Sequence, residues 1–332
     1  SGELIVIHVD PPTGDQVDEI VHHMLPRHLE ARLDRDREVD FSYFIPSLGR
    51  YRVNVFCQRG ELCLAMRYVK PHIPSFAELN LPEHLASIVN AENGIILVTG
   101  ATGCGKSSTM AAMLEHVNLT EKCHIITLED PIEFIFEDKQ SVIEQREIGL
   151  DTLSFERALT HVMRQDPDVI MIGEMRDCQS FMAALAAADT GHLVLTTLHT
   201  TSAHSAIGRI LDFFPAQERD QIRRQMALNL RAVICQRLVP AIAGGAVPAV
   251  EIMINTPIVR KLIEEDSLDK LFAAIETGSE DGMQTFNQSL YKLVKTKKIT
   301  EENALLKASN PDALRMNFRG IFLDESRRIL AS

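Results

Sequence analysis

The chain of 332 residues contains no tryptophan, and aromatic residues make up only 5% of it. Surfaces that bind single-stranded nucleic acid stack bases on aromatic rings, so this scarcity argues against one. Positive charge is in deficit too: 34 Lys and Arg face 46 Asp and Glu, a formal net charge of −12. Broad contact with phosphate backbones needs the opposite balance, so no nucleic-acid partner is expected. The longest uninterrupted apolar run, Phe181 to Ala188, is far shorter than the roughly 20 residues of a membrane-spanning helix. No basic segment followed by an apolar stretch opens the chain, so no secretory signal is read. The cysteines (Cys57, Cys63, Cys104, Cys123, Cys178, Cys235) never form a C-x-x-C pair. That excludes a zinc ribbon and a disulfide framework, and it suits the reduced thiols of a cytoplasmic protein. What remains is 45% apolar and 24% charged, the profile of a soluble globular chain of about two domains.

Its organisation follows from periodicity and punctuation. Ser1 to Asp10 alternates around Leu4, Val6 and Val9 and reads as a strand, which suggests a domain beginning upstream of Ser1. After the Pro11–Asp15 turn, Gln16 to Arg37 has helical spacing, broken or restarted at Pro26. Val39–Ile45, Arg50–Gln58 and Glu61–Val69 read as three strands of a meander. A small α+β domain is therefore expected over residues 1–69. The segment 70–75, with Pro71 and Pro74, is the clearest linker. In residues 76–332 the apolar runs Ile95–Thr99, His124–Leu128, Val169–Ile172 and Leu193–Leu198 alternate with helical patterns, the signature of a wound α/β sheet. From Pro215 onward the periodicity reads as helical, with Thr300 as an N-cap ahead of Glu301 and Glu302.

The chemistry is concentrated at the ends of those runs. Gly100-Ala101-Thr102-Gly103-Cys104-Gly105-Lys106-Ser107 matches G-x-x-x-x-G-K-[ST] in full, between a strand and the helical run from Ser108. Backbone N–H groups of such a loop curl around phosphates; Lys106 reaches the β- and γ-phosphates, and the Ser107 hydroxyl reaches Mg²⁺. The cofactors read here are thus ATP and Mg²⁺. Cys104 contributes its backbone rather than its thiol. The next strand ends in Glu129-Asp130-Pro131-Ile132-Glu133, and the one after it runs into Gly173-Glu174-Met175-Arg176-Asp177. An apolar strand that delivers one carboxylate to the ligand edge is a Walker-B arrangement. Glu174 is the candidate base for the attacking water, with Glu129 or Asp130 at Mg²⁺ or that water; the same acids can instead cap the following helices. His192 and His199 bracket the fourth strand. A lone histidine is usually structural, but His199 ends on the edge where phosphate would lie.

These four segments, in this order, resemble the secretion-type ATPase superfamily, and specifically the type IV pilus retraction motors of the PilT/PilU family. Gly100–Ser107 is similar to the Walker A box, 126–133 to the aspartate box, 168–177 to Walker B and 192–199 to the histidine box. The resemblance implies a PAS-like N-terminal domain, a flexible linker and a RecA-like ATPase domain. It also implies a homohexameric ring hydrolysing ATP to power pilin disassembly and twitching, at the inner-membrane base of the pilus machine against a platform protein. A second retraction ATPase is a further possible partner. It implies as well that arginines of the N-terminal domain reach the nucleotide: here Arg52 and Arg67, with Arg50 a weaker third, while Arg209 is an interface candidate. A guanidinium fork neutralises charge spread over γ-phosphoryl oxygens; the alternative is that these arginines are merely solvated.

Departures from the family pattern carry information. Extension and type II secretion ATPases bear a four-cysteine zinc insertion, whereas residues 239–250 here read Val-Pro-Ala-Ile-Ala-Gly-Gly-Ala-Val-Pro-Ala-Val. That favours retraction. Ile258-Val259-Arg260-Lys261-Leu262-Ile263-Glu264-Glu265 keeps the frame of a late PilT motif but puts an acid where its second arginine belongs. With residues 73–79 and 228–233, it leans the chain toward the PilU branch. Two other readings stay open: a non-hydrolysing nucleotide-binding regulator of a partner motor, and a nucleic-acid-stimulated or other secretion-type ATPase.

Overall fold

The computed structural model describes residues 10–69 and 71–321; of the strand expected over residues 1–10 all but Asp10 falls outside them, as does part of the linker. Helix α1 (Gly14–Met24) begins at a reciprocal cap, in which Thr13 accepts from the Gln16 backbone and Gln16 accepts from the Thr13 backbone. Pro26 precedes α2 (Arg27–Asp36), so the proline restarts the helix. Strands β1 (Glu38–Ile45), β2 (Gly49–Gln58) and β3 (Glu61–Tyr68) form an antiparallel sheet in the order β1-β2-β3. Alternation sorts its two faces. Val39, Phe41, Val53 and Val55 pack on Val21, Leu25, Leu29 and Leu33 of the helical layer. Ser42, Arg50 and Arg52 are left on the other face.

The short α3 (Leu85–Val89) leads into the second layer system. There β4 (Gly94–Thr99), α4 (Lys106–Thr120), β5 (His124–Glu129), β6 (Val142–Glu147), α5 (Phe155–Val162), β7 (Val169–Ile172), α6 (Cys178–Asp189) and β8 (Leu193–Leu198) follow in turn. Helices α7 (Ala203–Leu211) and α8 (Ala216–Asn229) precede β9 (Leu230–Pro240) and β10 (Ala246–Ile254). The chain then continues through α9 (Pro257–Glu264), α10 (Leu271–Thr277), α11 (Phe286–Lys295), α12 (Glu301–Lys307) and α13 (Pro311–Phe318). Seven strands order as β10-β9-β4-β8-β7-β5-β6, all parallel except the β9–β10 pair. Strands β4, β7 and β8 are buried along their whole length. One apolar cluster, with Leu97, Ile126, Ile172 and Phe181, fills one side of the sheet; another, with Ile96, Val98, Met113 and Leu114, fills the side of α4. Both faces of a parallel sheet must be covered, and here they are.

The helical reading of everything after Pro215 is corrected by β9 and β10. Ala232-Val233-Ile234-Cys235, and Val250-Glu251-Ile252-Met253 with its single buried acid, are runs too short for periodicity to tell a buried strand from a helix. Thr300 does cap α12, accepting from the Asn303 backbone.

Candidate active site

Because β4, β8, β7 and β5 are neighbours in near register, their C-terminal ends share one edge. Thr99 lies beside Leu198, and Ile172 lies beside both Thr196 and Leu128. The residues just beyond those ends are therefore forced together: the loop from Gly100, then His199, Glu174 and Glu129. They line a cleft of about 700 Å³. Its opposite wall carries Arg52 and Arg67 of the three-stranded sheet.

The phosphate loop is held open by backbone geometry. A Cβ on Gly100 would lie 2.5 Å from Cys104 Sγ and 2.6 Å from the Gln236 carbonyl, so only glycine fits. Gly105 caps α4 in a left-handed conformation and supplies no side-chain acceptor. The first N–H groups of α4 are thus left for an outside anion, at the positive end of the helix dipole. Lys106 is buried, its Nζ donating to the Gly100 and Ala101 carbonyls at 2.9 and 3.2 Å. Gln236 braces the loop from β9: its Nε2 donates to the Cys104 carbonyl at 2.8 Å, and its Oε1 accepts from Thr109 Oγ1 at 2.8 Å. Burial raises the pKa of the Cys104 thiol despite the nearby Lys106 charge, which leaves it a poor nucleophile.

Glu174 sits at the centre of an ion cluster. Its Oε2 accepts from Arg176 Nε and Nη2 at 2.9 and 2.8 Å, and its Oε1 is 3.1 Å from His199 Nε2. Partial burial pushes its pKa upward, but the Arg176 bonds and the charges of Arg176, His199 and Lys106 outweigh that and leave it below the ordinary value. Glu174 is therefore ionised at neutral pH, as a group accepting a proton from water requires. Glu129 differs. It is buried, its Oε1 accepting from Thr127 Oγ1 at 2.8 Å and from Gln145 Nε2 at 3.1 Å, its Oε2 from the Glu133 backbone at 3.4 Å. Burial raises its pKa against those bonds. Three of its roughly four acceptor positions are engaged, so it lines the cleft with about one left for a ligand.

Not every candidate joins this cluster. Thr102, Gly103, Gly105, Ser107, Ser108 and Asp130 line the cleft. His192 precedes β8, at the opposite edge from His199; six residues at about 3.3 Å each hold the two apart. Its Nδ1 lies 2.9 Å from the Ala187 carbonyl. Arg50 faces Glu147 at 3.9 Å rather than the cleft. Arg209 lies on α7 with its guanidinium 5.2 Å from the Phe213 ring centre, also outside the cleft. Three residues not singled out in the sequence matter here: Arg176, Gln236 and Glu147. Arg176 stands two residues from Glu174, close enough in the chain for a charge partner to be looked for there. Gln236 was hidden by the helical reading of β9. Glu147, buried at the end of β6, accepts from Ser42 Oγ at 2.7 Å and from the Ile132 backbone at 3.2 Å, tying the small sheet to the large one. Among the described residues no cluster of three or more His, Cys, Asp or Glu side chains could hold a metal by itself. A Mg²⁺ would therefore arrive with phosphate oxygens, as that ion commonly does.

A phosphate loop, a strand-delivered carboxylate and a strand-end histidine on one edge of a mostly parallel sheet define a P-loop ATPase. The family model described as "Type II/IV secretion system protein" matches residues 30–317, and the chain belongs to that family of secretion-type ATPases. The type IV pilus retractation ATPase PilT of Pseudomonas aeruginosa is 42% identical over 311 residues, spanning 94% of this chain and 90% of the relative. The type IV pilus ATPase PilU of the same organism is 38% identical over 317 residues, spanning 95% and 83%. A solved structure described as the pilus retraction motor PilT and bound ADP superposes with a TM-score of 0.84 at 42% identity, covering 90% of this chain and 85% of that one. The family and fold read from the motifs are thus borne out. Identity is higher to PilT than to PilU, so whole-chain likeness does not repeat the PilU lean of the short segments. No helix among the described residues is long and apolar enough to cross a membrane.

Proposed function

We propose that this chain binds ATP in the cleft between its two sheets, hydrolyses it, and uses the cycle to retract a type IV pilus. One observation carries the reading: the phosphate loop, an ionised Glu174 and two arginines from a separate sheet converge on one 700 Å³ cleft. The loop N–H groups and Lys106 bind the β- and γ-phosphates; the Ser107 hydroxyl, at the start of α4, would hold Mg²⁺, which would neutralise charge developing on the leaving group. Glu174 accepts a proton from the attacking water, and Arg176 and His199 orient its two oxygens. Arg52 and Arg67 lie directly opposite each other on β2 and β3. Like charges so paired repel, and a triphosphate between the walls relieves that repulsion.

The names of the relatives support retraction, and the motor is read as a homohexamer acting on a platform protein at the inner-membrane base of the pilus, alone or with a second retraction ATPase. Purified protein should turn over ATP in the presence of Mg²⁺. A strain lacking the gene should be hyperpiliated and unable to twitch; bald cells would overturn retraction in favour of extension.

A further inference from the structure

Neighbouring residues of β9 reach opposite layers of the molecule. Gln236 points to α4 and the phosphate loop, so Arg237 points the other way, as strand alternation demands. Arg237 Nη2 donates to the Thr201 carbonyl at 3.1 Å. Its Nη1 donates to the Lys307 carbonyl at 2.8 Å and to Ser309 Oγ at 3.1 Å, at the joint between α12 and α13. The guanidinium lies 3.8 Å from the centre of the Phe286 ring, which opens α11. Asn287 ties the same joint to α11, accepting from the Ser309 backbone at 3.2 Å and donating to the Asn310 carbonyl at 2.8 Å. One planar fork therefore bridges a loop, the helices α11 and α12, and the joint that leads into α13.

The loop in question starts at the reaction centre. His199 faces Glu174; Thr201 is held by Arg237; Ala203, the first residue of α7, donates its N–H to Glu251 Oε1 at 2.8 Å. Between these anchors Thr200 Oγ1 is buried without a hydrogen-bond partner, so the loop has a hydrogen bond to gain in another arrangement. Any displacement of His199 by charge arriving at the γ-phosphate position moves the Thr201 carbonyl against a guanidinium clamped to the helices. Packed layers respond to such shifts by switching rather than by yielding gradually.

We propose that Arg237 is a positioning residue that couples the occupancy of the nucleotide cleft, through the loop after His199, to the α11–α13 helices. This rests on the reading that the cleft takes ATP. The test is hydrogen–deuterium exchange of the full chain with ADP and with a non-hydrolysable ATP analogue, run beside steady-state ATPase kinetics. In the wild type, amides of 301–317 should exchange about tenfold differently between the two nucleotides, a usual size for coupling between sites. Arg237→Lys keeps the charge and loses the fork. It should fold, abolish that difference, and lower kcat about tenfold with KM for ATP unchanged. Arg237→Ala should do the same and serves as a second variant. Wild-type protein without the exchange difference, or Arg237→Lys retaining it, overturns the proposal. Protein that binds both nucleotides but hydrolyses no ATP refutes the hydrolytic reading, while the exchange result still decides the coupling.

Discussion

The two walls of the cleft are built to different standards. On one side, β4 is buried at every residue, Lys106 is folded onto its own loop, and Gln236 bolts that loop to α4. On the other, Arg52 and Arg67 stand on a three-stranded sheet whose β3 is largely exposed, with Arg52 only 3.8 Å from Asp40 as an ion partner. That second wall is joined to the first by the chain through residues 71–75, which include Pro71 and Pro74, and by Glu147, which grips Ser42 and lies near Arg50. Under the function proposed above, a braced wall that binds phosphate would meet a more exposed wall that brings charge, and closure between them would complete the site.

Glu174→Gln tests the rigid wall most severely. It preserves shape and removes the charge, so turnover should fall about 10³-fold, within the range for loss of a positioned base. ADP affinity, measured by calorimetry, should stay within a few fold because the phosphate loop is untouched. Retained turnover would remove Glu174 from the base role. Arg52→Ala and Arg67→Ala test the more exposed wall; each should lower kcat about 10²-fold, the usual loss for one preorganised donor to developing charge. A rise in KM with kcat unchanged would make these arginines binding groups only and erase the functional contrast between the walls.

The rigid wall was legible in sequence because each of its parts is local. A glycine-rich loop follows an apolar strand, and Glu174 and His199 each follow another, so parallel register alone brings them to one edge. The bracing was not legible. Gln236 meets Cys104 across 132 residues, and Ser42 meets Glu147 across 105. Such contacts depend on β9 inserting beside β4 and on how the small sheet docks, neither of which leaves a periodic trace. His192 misled for a related reason: strand-flanking residues look equivalent in sequence although they occupy opposite edges. The arginines of β2 were suggested by family resemblance, and only the alternation of Val53 and Val55 inward leaves Arg52 outward.

Gln236→Leu separates bracing from chemistry. It leaves the Thr109 hydroxyl and the Cys104 carbonyl without their partner at a buried position, at a cost of about 2 kcal/mol. The urea midpoint should drop accordingly, with a weaker grip on ADP and an intact acid limb of the pH profile. An unchanged midpoint would show that the loop holds its form without β9.

The smallest effect is expected at Glu129. Burial raises its carboxyl above the ordinary value of 4.5. A folded state that holds the proton more tightly than the unfolded one is most favoured at low pH, and it loses that advantage as pH rises through the folded pKa. Glu129 therefore makes stability fall with rising pH above the usual carboxylate range. Glu174, with its lowered pKa, works in the opposite sense, gaining stability above that range and losing it on acidification. Glu129→Gln removes the first contribution and keeps an oxygen to accept from Thr127 and Gln145. Melting temperatures of wild type and variant, followed from pH 4 to 8, should converge toward acid and separate toward neutrality, with the variant gaining relative to the wild type. Parallel curves would show that the Glu129 network compensates its burial in full. The two glutamates of one sheet edge would then differ in position but not in the environment that sets their charge.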